Sequence, residues 1–146
     1  MLKDKTIPFR LLGIDHIVLR AVDAPRLVDF YITALGCTMQ WERSELGLYH
    51  LRSGSALLDI VSIDGPLGVS GVAATEGTGR NVDHVCFQID AIEPEALGKH
   101  LREFGLEMDE PKTRFGAQGF GLSVYLQDPE GNGIELKVAA AEPANR

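Results

Sequence analysis

Apolar and polar residues alternate in two matching segments, one in each half of the chain. Residues 14–20 read IDHIVLR and residues 82–88 read VDHVCFQ, so each begins with an apolar residue followed by Asp and His. Alternation with period two is typical of a β-strand that buries one face. The pattern therefore predicts strands at 14–20 and 82–90.

A helical pattern follows each of these strands. In the first half, Asp23-Ala24-Pro25 is a typical helix start, and apolar residues then recur three or four positions apart as far as Gly36. In the second half the same spacing runs from Glu93-Pro94 to Phe104, and Gly105 follows. Because glycine readily adopts the left-handed conformation, both glycines are predicted to end their helices.

Short alternating or apolar stretches complete each half. They predict strands near 38–44, 46–52 and 55–63 in the first half, and near 106–113, 120–127 and 132–138 in the second. Residues 128–133 (DPEGNG) are a dense cluster of turn formers. Gly116, Gly119 and Gly121 predict a mobile loop that could serve as a lid.

The two halves keep almost the same register along the chain. The two histidines of the strand motifs lie 68 positions apart, and the two helix-ending glycines lie 69 apart. We interpret this as duplication of a β-α-β-β-β module, which predicts an α+β fold of two βαβββ modules forming a half-open barrel. The predicted boundaries are module one 12–63, a linker 64–80, module two 81–138, and tails 1–11 and 139–146.

Composition narrows the function classes. The 146 residues carry 21 acidic against 14 basic side chains, a net charge of −7, so nucleic acid and anionic membranes are poor partners. Two cysteines do not make a disulfide framework, no apolar run could cross a bilayer, and the first residues do not resemble a secretory signal. These features predict a cytoplasmic domain that acts on small molecules or protein partners.

Four polar side chains interrupt faces that would otherwise be apolar. His16 and His84 occupy equivalent strands of the two modules, and Asp59 and Glu135 lie in the last strand of each. If the sheets pack as half-barrels, these residues converge on one cavity. Imidazoles with carboxylates suit a borderline divalent ion such as Zn, Ni, Mn, Fe or Co.

Taken one at a time, these residues have simpler interpretations. A lone strand histidine is usually a satisfied core or edge residue, and Glu135 alternating with Lys137 fits a strand edge that faces water. Cys86 shares a face with His84 and could line the pocket, although a small buried hydrophobe is the more typical role for such a residue. Repetition of His at matching positions favours the metal interpretation, because duplication alone does not require it.

The paired modules, the Asp-His strand motif and the stretch 128–135 (DPEGNGIE) resemble the vicinal oxygen chelate superfamily over residues 12–138. The resemblance implies that His16, Asp59, His84 and Glu135 hold the metal. Asp59 departs from the usual glutamate by one methylene. It could ligate, act through a water or serve as a base, and without it the other three form a two-His, one-carboxylate triad.

The same resemblance implies a function and further site residues. The superfamily polarises neighbouring substrate oxygens on its metal, which predicts a glyoxalase-like lyase or isomerase acting through an enediolate or oxyanion, with Glu135 as base and Asp59 as second candidate. Ser123 and Tyr125 match the Ser-x-Tyr of fosfomycin-resistance proteins and, with Arg114, could hold an anionic group. Alternatives are a thiol transferase of that type, an extradiol-type dioxygenase, or a metal-free drug-binding protein. Small members are mostly homodimers, some with sites shared between chains.

Overall fold

The first module is a four-stranded mixed sheet with one helix. The structure is a computed structural model that describes residues 7–71 and 80–139. The elements of module one are β1 (His16–Ala21), α1 (Ala24–Thr33), β2 (Thr38–Arg43), β3 (Leu48–Ser53) and β4 (Ala56–Ser62). The strand order is β1-β4-β3-β2, in which β1 and β4 are parallel and the other neighbours are antiparallel.

The second module repeats this topology. Its elements are β5 (His84–Ile89), α2 (Pro94–Glu103), β6 (Lys112–Gly116), β7 (Gly119–Gln127) and β8 (Gly133–Val138). The order β5-β8-β7-β6 matches that of the first sheet, again with one parallel pair. The predicted α+β fold of two βαβββ modules is confirmed.

Two expectations about the second module are wrong. The strand expected at 106–113 begins only at Lys112, because Leu106 and Met108 pack against the core as an irregular segment instead of pairing in the sheet. The glycine-rich stretch expected to be a mobile loop is the β6–β7 hairpin, in which Arg114 pairs with Gly121 and Gly116 with Gly119.

The predicted tails and linker are only partly described. Residues 1–6, 72–79 and 140–146 lie outside the described residues. The rest of the predicted linker includes a short 3-10 helix at Gly68–Ser70. Within residues 7–71 and 80–139, every helix is too short or too polar to span a bilayer.

The first helix shows how local sequence sets the element boundaries. The Asp23 carboxylate accepts a hydrogen bond from the backbone N–H of Arg26, which satisfies a donor at the helix start. The helix ends before Gly36, whose φ of +79° belongs to the left-handed region. The predicted stop at Gly36 is therefore confirmed.

One apolar core joins the two modules. It consists of the helices and the inner faces of both sheets, and its fully buried members include Leu27, Leu51, Ile60, Leu101 and Ile134. Because strand residues alternate between faces, the side chains at the intervening positions lie on the outer face of each sheet. We call this face, which points away from the helices, the open face.

The turn between β7 and β8 connects the modules through polar contacts. Asp128 is buried and accepts hydrogen bonds from the Tyr31 hydroxyl of α1 (2.7 Å) and from the backbone N–H groups of Glu130 and Asn132. The Glu130 carboxylate accepts from the backbone N–H groups of Val22 and Asp23. The turn motif that supported the family resemblance thus has a structural role.

Candidate functional site

The strand register places the four predicted ligands on the open faces. Asp59 pairs with Val18, two residues after His16, so these side chains share the open face of the first sheet. Glu135 pairs with Cys86, two residues after His84, and they share the open face of the second sheet. Each sheet therefore presents one histidine and one carboxylate in equivalent positions.

His84 and Glu135 form a direct pair. The His84 Nε2 lies 3.3 Å from the Glu135 Oε1. On the other side of the ring, the His84 Nδ1 lies 2.7 Å from a carboxylate oxygen of Asp83. A carboxylate at Nδ1 favours the tautomer in which Nε2 carries the free lone pair, which is how metal-binding histidines are usually oriented.

Glu135 is held as a carboxylate by its neighbours. Burial on its own would raise its pKa, but hydrogen bonds from Tyr125, Cys86 and Ser123, together with the charge of His84, outweigh burial, and the pKa lies below its ordinary value. The residue is only 5% exposed. Glu135 is therefore ionised at neutral pH and able to bind a cation or accept a proton.

The same contacts also change the pKa values of two groups that donate hydrogen bonds to Glu135. The hydrogen bond to Glu135 raises the pKa of Tyr125, with burial adding to it, so its hydroxyl keeps its proton. Loss of water around the sulfur and the adjacent charge of Glu135 raise the pKa of Cys86 to about 11. The expectation of Cys86 as a small buried hydrophobe is wrong, because the residue is exposed on the open face and contacts the candidate ligand.

His16 in the first module is oriented in the same way as His84. Its Nδ1 lies 2.6 Å from a carboxylate oxygen of Asp15. This hydrogen bond raises the pKa of His16; partial loss of water opposes the shift, and the charges of Asp59 and Asp15 add to it. The Asp of each Asp-His motif therefore makes the same contact, at the Nδ1 of the histidine that follows it, and leaves Nε2 on the other side of the ring.

Asp59 has a partner that the sequence did not indicate. His50 on β3 is its cross-strand neighbour, and the His50 Nδ1 lies 2.9 Å from the Asp59 Oδ1. The carboxylate is buried, and this close approach lacks hydrogen-bond geometry, so Oδ1 has no hydrogen bond. His50 also stacks on Trp41 at 5.7 Å between ring centroids. Only the β3–β4 register reveals the pair, since the sequence signal is a single histidine in an alternating strand.

Within the described ranges, 7–71 and 80–139, no three His, Cys, Asp or Glu side chains are close enough to hold a metal ion together. The chain brings together His84 with Glu135 and His50 with Asp59, but it leaves the two pairs on different sheets. The His84–Glu135 pair nevertheless suits a metal: bonds of about 2.1 Å at ordinary angles place adjacent ligand atoms about 3 Å apart.

The structure also brings together the three residues predicted to hold an anionic group. The Arg114 guanidinium donates to the carbonyl oxygen of Ser123 (2.9 Å) and to its hydroxyl (2.8 Å). It also lies 4.3 Å from the ring centroid of Tyr125. Tyr125 and Ser123 also donate hydrogen bonds to the Glu135 carboxylate, so the cluster on β6 and β7 contacts the candidate ligand directly.

The alternative in which Glu135 and Lys137 face water is wrong. Both residues are only 5% exposed. They line a pocket of about 300 Å³ with His84, Cys86 and Gln88, and the β6–β7 turn forms its rim. The second sheet therefore has a polar cavity beside its candidate ligands.

The fold and the histidine–carboxylate faces define the class of protein. A family model described as "Glyoxalase/Bleomycin resistance protein/Dioxygenase superfamily" matches residues 13–136, and the chain belongs to this superfamily. It is 32% identical over 125 residues to a glyoxalase domain-containing protein of Mycosarcoma maydis, covering 85% of this chain and 66% of that protein. The chain thus spans somewhat less than two thirds of the length of this curated relative.

Solved structures share the fold. A lactoylglutathione lyase from Agrobacterium tumefaciens superposes with a TM-score of 0.60 at 20% identity, covering 88% of this chain and 95% of that one. The fosfomycin resistance protein FosX from Listeria monocytogenes superposes with a TM-score of 0.64 at 22% identity, covering 88% and 92%. At this identity the likeness establishes the architecture alone.

Proposed function

We propose that the chain is a metal-dependent, glyoxalase-like lyase or isomerase that acts on a small oxygen-chelating substrate through an enediolate or oxyanion. The observation that carries the proposal is the 3.3 Å approach of the His84 Nε2 to a Glu135 carboxylate that its neighbours keep ionised. An imidazole and a carboxylate on a pocket wall are ligands for a divalent ion. The lyase named among the fold neighbours is consistent with this class.

The residues that would hold the ion are His84 and Glu135 from the second sheet and His16 from the first, with Asp59 as a fourth candidate. Zn, Ni, Mn, Fe and Co all accept this donor set. A divalent ion bound there supplies Lewis acidity for two neighbouring substrate oxygens. Asp59 is the weaker candidate, because its carboxylate is buried against His50.

A homodimer would complete the site. Because the described chain keeps the two ligand pairs apart, we propose that the first sheet of one protomer faces the second sheet of its partner. The open face of the first sheet supports this, since Val18 (48% exposed) and Trp41 (56%) expose apolar surface beside the candidate ligands. Two-fold dimers are the commonest assemblies of soluble proteins.

Glu135 is the proposed base for proton transfer. It is ionised and lines the pocket, and the Tyr125 hydroxyl holds it by a hydrogen bond. Asp59 remains the second candidate. Removal of a proton next to a carbonyl requires a carboxylate within hydrogen-bonding reach of that proton, and a substrate in this pocket would lie against the Glu135 carboxylate.

Metal analysis tests the proposal. Protein purified without added metal is expected to contain close to one divalent ion per chain, and His84→Ala to lose it while keeping its circular dichroism spectrum. His100→Gln is the matched control, because His100 lies on α2 and bonds the carbonyl oxygen of Ala34 instead of facing the pocket. Less than a tenth of an equivalent in the unaltered protein, with no thermal shift on adding these metals, would favour a metal-free drug-binding protein.

Mixing two inactive variants tests the shared site. If each site takes His16 from one protomer and His84 from the other, a heterodimer of His16→Ala and His84→Ala has one intact site. Random reassortment is then expected to restore about a quarter of the wild-type metal content. If both histidines come from one chain, the mixture binds no metal.

Substrate assays separate the catalytic alternatives. The hemithioacetal of methylglyoxal and glutathione is the first substrate to test, and absence of turnover with every metal above would reject it. The Arg114–Ser123–Tyr125 cluster next to Glu135 favours fosfomycin with a thiol as the second assay. A cytoplasmic location is part of the same proposal and is tested by cell fractionation.

A further inference from the structure

Lys137 is a buried cation for which the proposed metal site gives no explanation. It lies two residues after Glu135 on β8, on the same open face, and is 5% exposed. Across the part of the chain that the structure describes, its ammonium makes no hydrogen bond and no ion pair. Among the described residues, its Nζ is not one of the fully buried atoms that lack a partner, so the charge reaches the open space beside it. A nearly enclosed cation without an anion in contact favours binding an anion from that space.

Two glycines leave room for this side chain. A Cβ at Gly116 would lie 3.0 Å from the Lys137 Cε, and one at Gly121 would lie 3.1 Å from its Nζ and 2.7 Å from the carbonyl oxygen of Val138. Neither glycine has a positive φ, so backbone conformation does not require glycine at these positions. The absence of a side chain at Gly116 and Gly121 therefore leaves the channel that Lys137 occupies.

The channel opens into the pocket of about 300 Å³ that His84 and Glu135 also line. Gln88 donates a hydrogen bond to the side-chain oxygen of Gln118 (2.7 Å), which ties β5 to the hairpin turn at the rim. The pocket wall thus carries the His84–Glu135 pair and, two residues further along β8, the Lys137 cation.

We propose that Lys137 binds an oxyanion group of the substrate, either a carboxylate or a phosphate or phosphonate. The inference rests on the proposed function only for the other end of the substrate, where the chelating oxygens lie beside His84 and Glu135. Residues two apart on a strand are separated by about 6.8 Å. The substrate class is therefore a small acid whose anionic group lies a few bonds from its pair of chelating oxygens.

Anion binding to metal-free protein tests Lys137 independently of the metal. Inorganic phosphate and acetate are titrated by calorimetry into the EDTA-treated full chain, into Lys137→Met and into the control Lys112→Met, which removes an exposed lysine of the same sheet. We expect at least one anion to bind the unaltered protein and Lys112→Met alike, and Lys137→Met at least tenfold more weakly. The tighter anion identifies the type of oxyanion. Equal affinity for all three proteins, or no binding to any of them, would overturn the proposal.

Stability distinguishes a binding lysine from a structural one. Without anion, Lys137→Met is expected to unfold at the same or a higher urea concentration than the unaltered protein, because a nearly enclosed charge that has no ion partner has been removed. A marked loss of stability would show that the lysine supports the fold, which contradicts the proposal. Lys137→Gln, which is also neutral, is a second variant should the methionine protein not fold.

A matched pair of chelators tests the substrate class once metal is bound. Catechol has two neighbouring oxygens, and 3,4-dihydroxybenzoate adds a carboxylate on the far side of the ring. We expect Zn-loaded protein to bind the acid at least tenfold more tightly than catechol, and Lys137→Met to lose this preference. A preference that persists in the variant would refute the role of Lys137. Loss of metal binding, with Lys137-dependent anion binding intact, would refute only the proposed function.

Discussion

Each Asp-His motif pairs an exposed aspartate with a histidine whose other nitrogen faces the open side of the sheet. The Asp15 and Asp83 carboxylates lie 2.6 and 2.7 Å from the Nδ1 atoms of His16 and His84. The repeat of His at equivalent strands was visible in the sequence, but the reason for the preceding Asp was not. The side-chain geometry shows that the two residues act as one unit.

Asp83→Asn is therefore expected to weaken metal binding without unfolding the protein. Partners of this kind change metal affinity by about 10–100-fold, and the exposure of Asp83 favours the lower end. Competition with a chromophoric chelator measures the affinity, and Asp90→Asn, an exposed aspartate after β5, is the control. Unchanged affinity in Asp83→Asn would show that the aspartate does not orient the ligand.

The His50–Asp59 pair predicts an effect on stability. Removing His50 takes away the imidazole whose Nδ1 lies 2.9 Å from the Asp59 Oδ1, so the buried carboxylate loses its polar neighbour, and leaving a buried polar group in apolar surroundings costs about 1–3 kcal/mol. His50→Leu is expected to lose this much in urea denaturation, whereas the double variant with Asp59→Leu is expected to recover most of it. Additive losses in the double variant would mean that the two side chains are not coupled.

At the scale of elements, the helices and most strands follow from the sequence alone. Alternation, helix-ending glycines and turn formers act locally, so β1, α1 and β8 lie within two or three residues of their predicted bounds. The β6 strand was misplaced because Leu106 and Met108 contact the core without pairing in a sheet. The His50–Asp59 and Arg114–Ser123 contacts depend on strand register, which short-range patterns do not specify.

In the turn from Asp128 to Gly133, the Asp128 carboxylate is expected to contribute strongly to stability. Asp128 accepts hydrogen bonds from two backbone N–H groups, from the Asn132 amide and from Tyr31, and it is buried. Asp128→Ala leaves these donors without an acceptor, so a loss of about 3 kcal/mol or more is expected. Urea denaturation measures it, with Asp90→Ala, an exposed aspartate after β5, as comparison. A loss below about 1 kcal/mol would mean that water replaces the carboxylate.

For the whole molecule, the two modules are joined by one apolar core and by polar contacts from the β7–β8 turn. The sequence indicated duplication, but not how the copies pack. In the described residues the modules meet through their helices and inner faces, which leaves the two open faces, and the ligands on them, apart. The proposed homodimer would bring the ligands on the two open faces together.

The hydrogen bond from Tyr31 to Asp128 crosses between the modules, and it makes their association sensitive to alkaline pH. Burial raises the pKa of Tyr31 far above its ordinary value, and the charge of Asp128 and the hydrogen bond to it add to the shift. The folded state therefore keeps a proton that the unfolded state releases near pH 10. Because the unfolded state then binds fewer protons, this contribution is complete below about pH 10 and declines as the pH rises further.

Tyr31→Phe removes the hydroxyl and keeps the ring. At pH 7 we expect it to lower the free energy of unfolding by about 1.5–3 kcal/mol, as for a hydrogen bond to a charged group. Between pH 9 and 11 the unaltered protein is expected to lose stability more steeply than the variant, so that the difference between them shrinks. Urea titrations at each pH, followed by circular dichroism and by Trp41 fluorescence, give both values. A difference that stays constant up to pH 11 would show that Tyr31 can ionise in the folded protein, and so that its hydroxyl is not confined between the two modules.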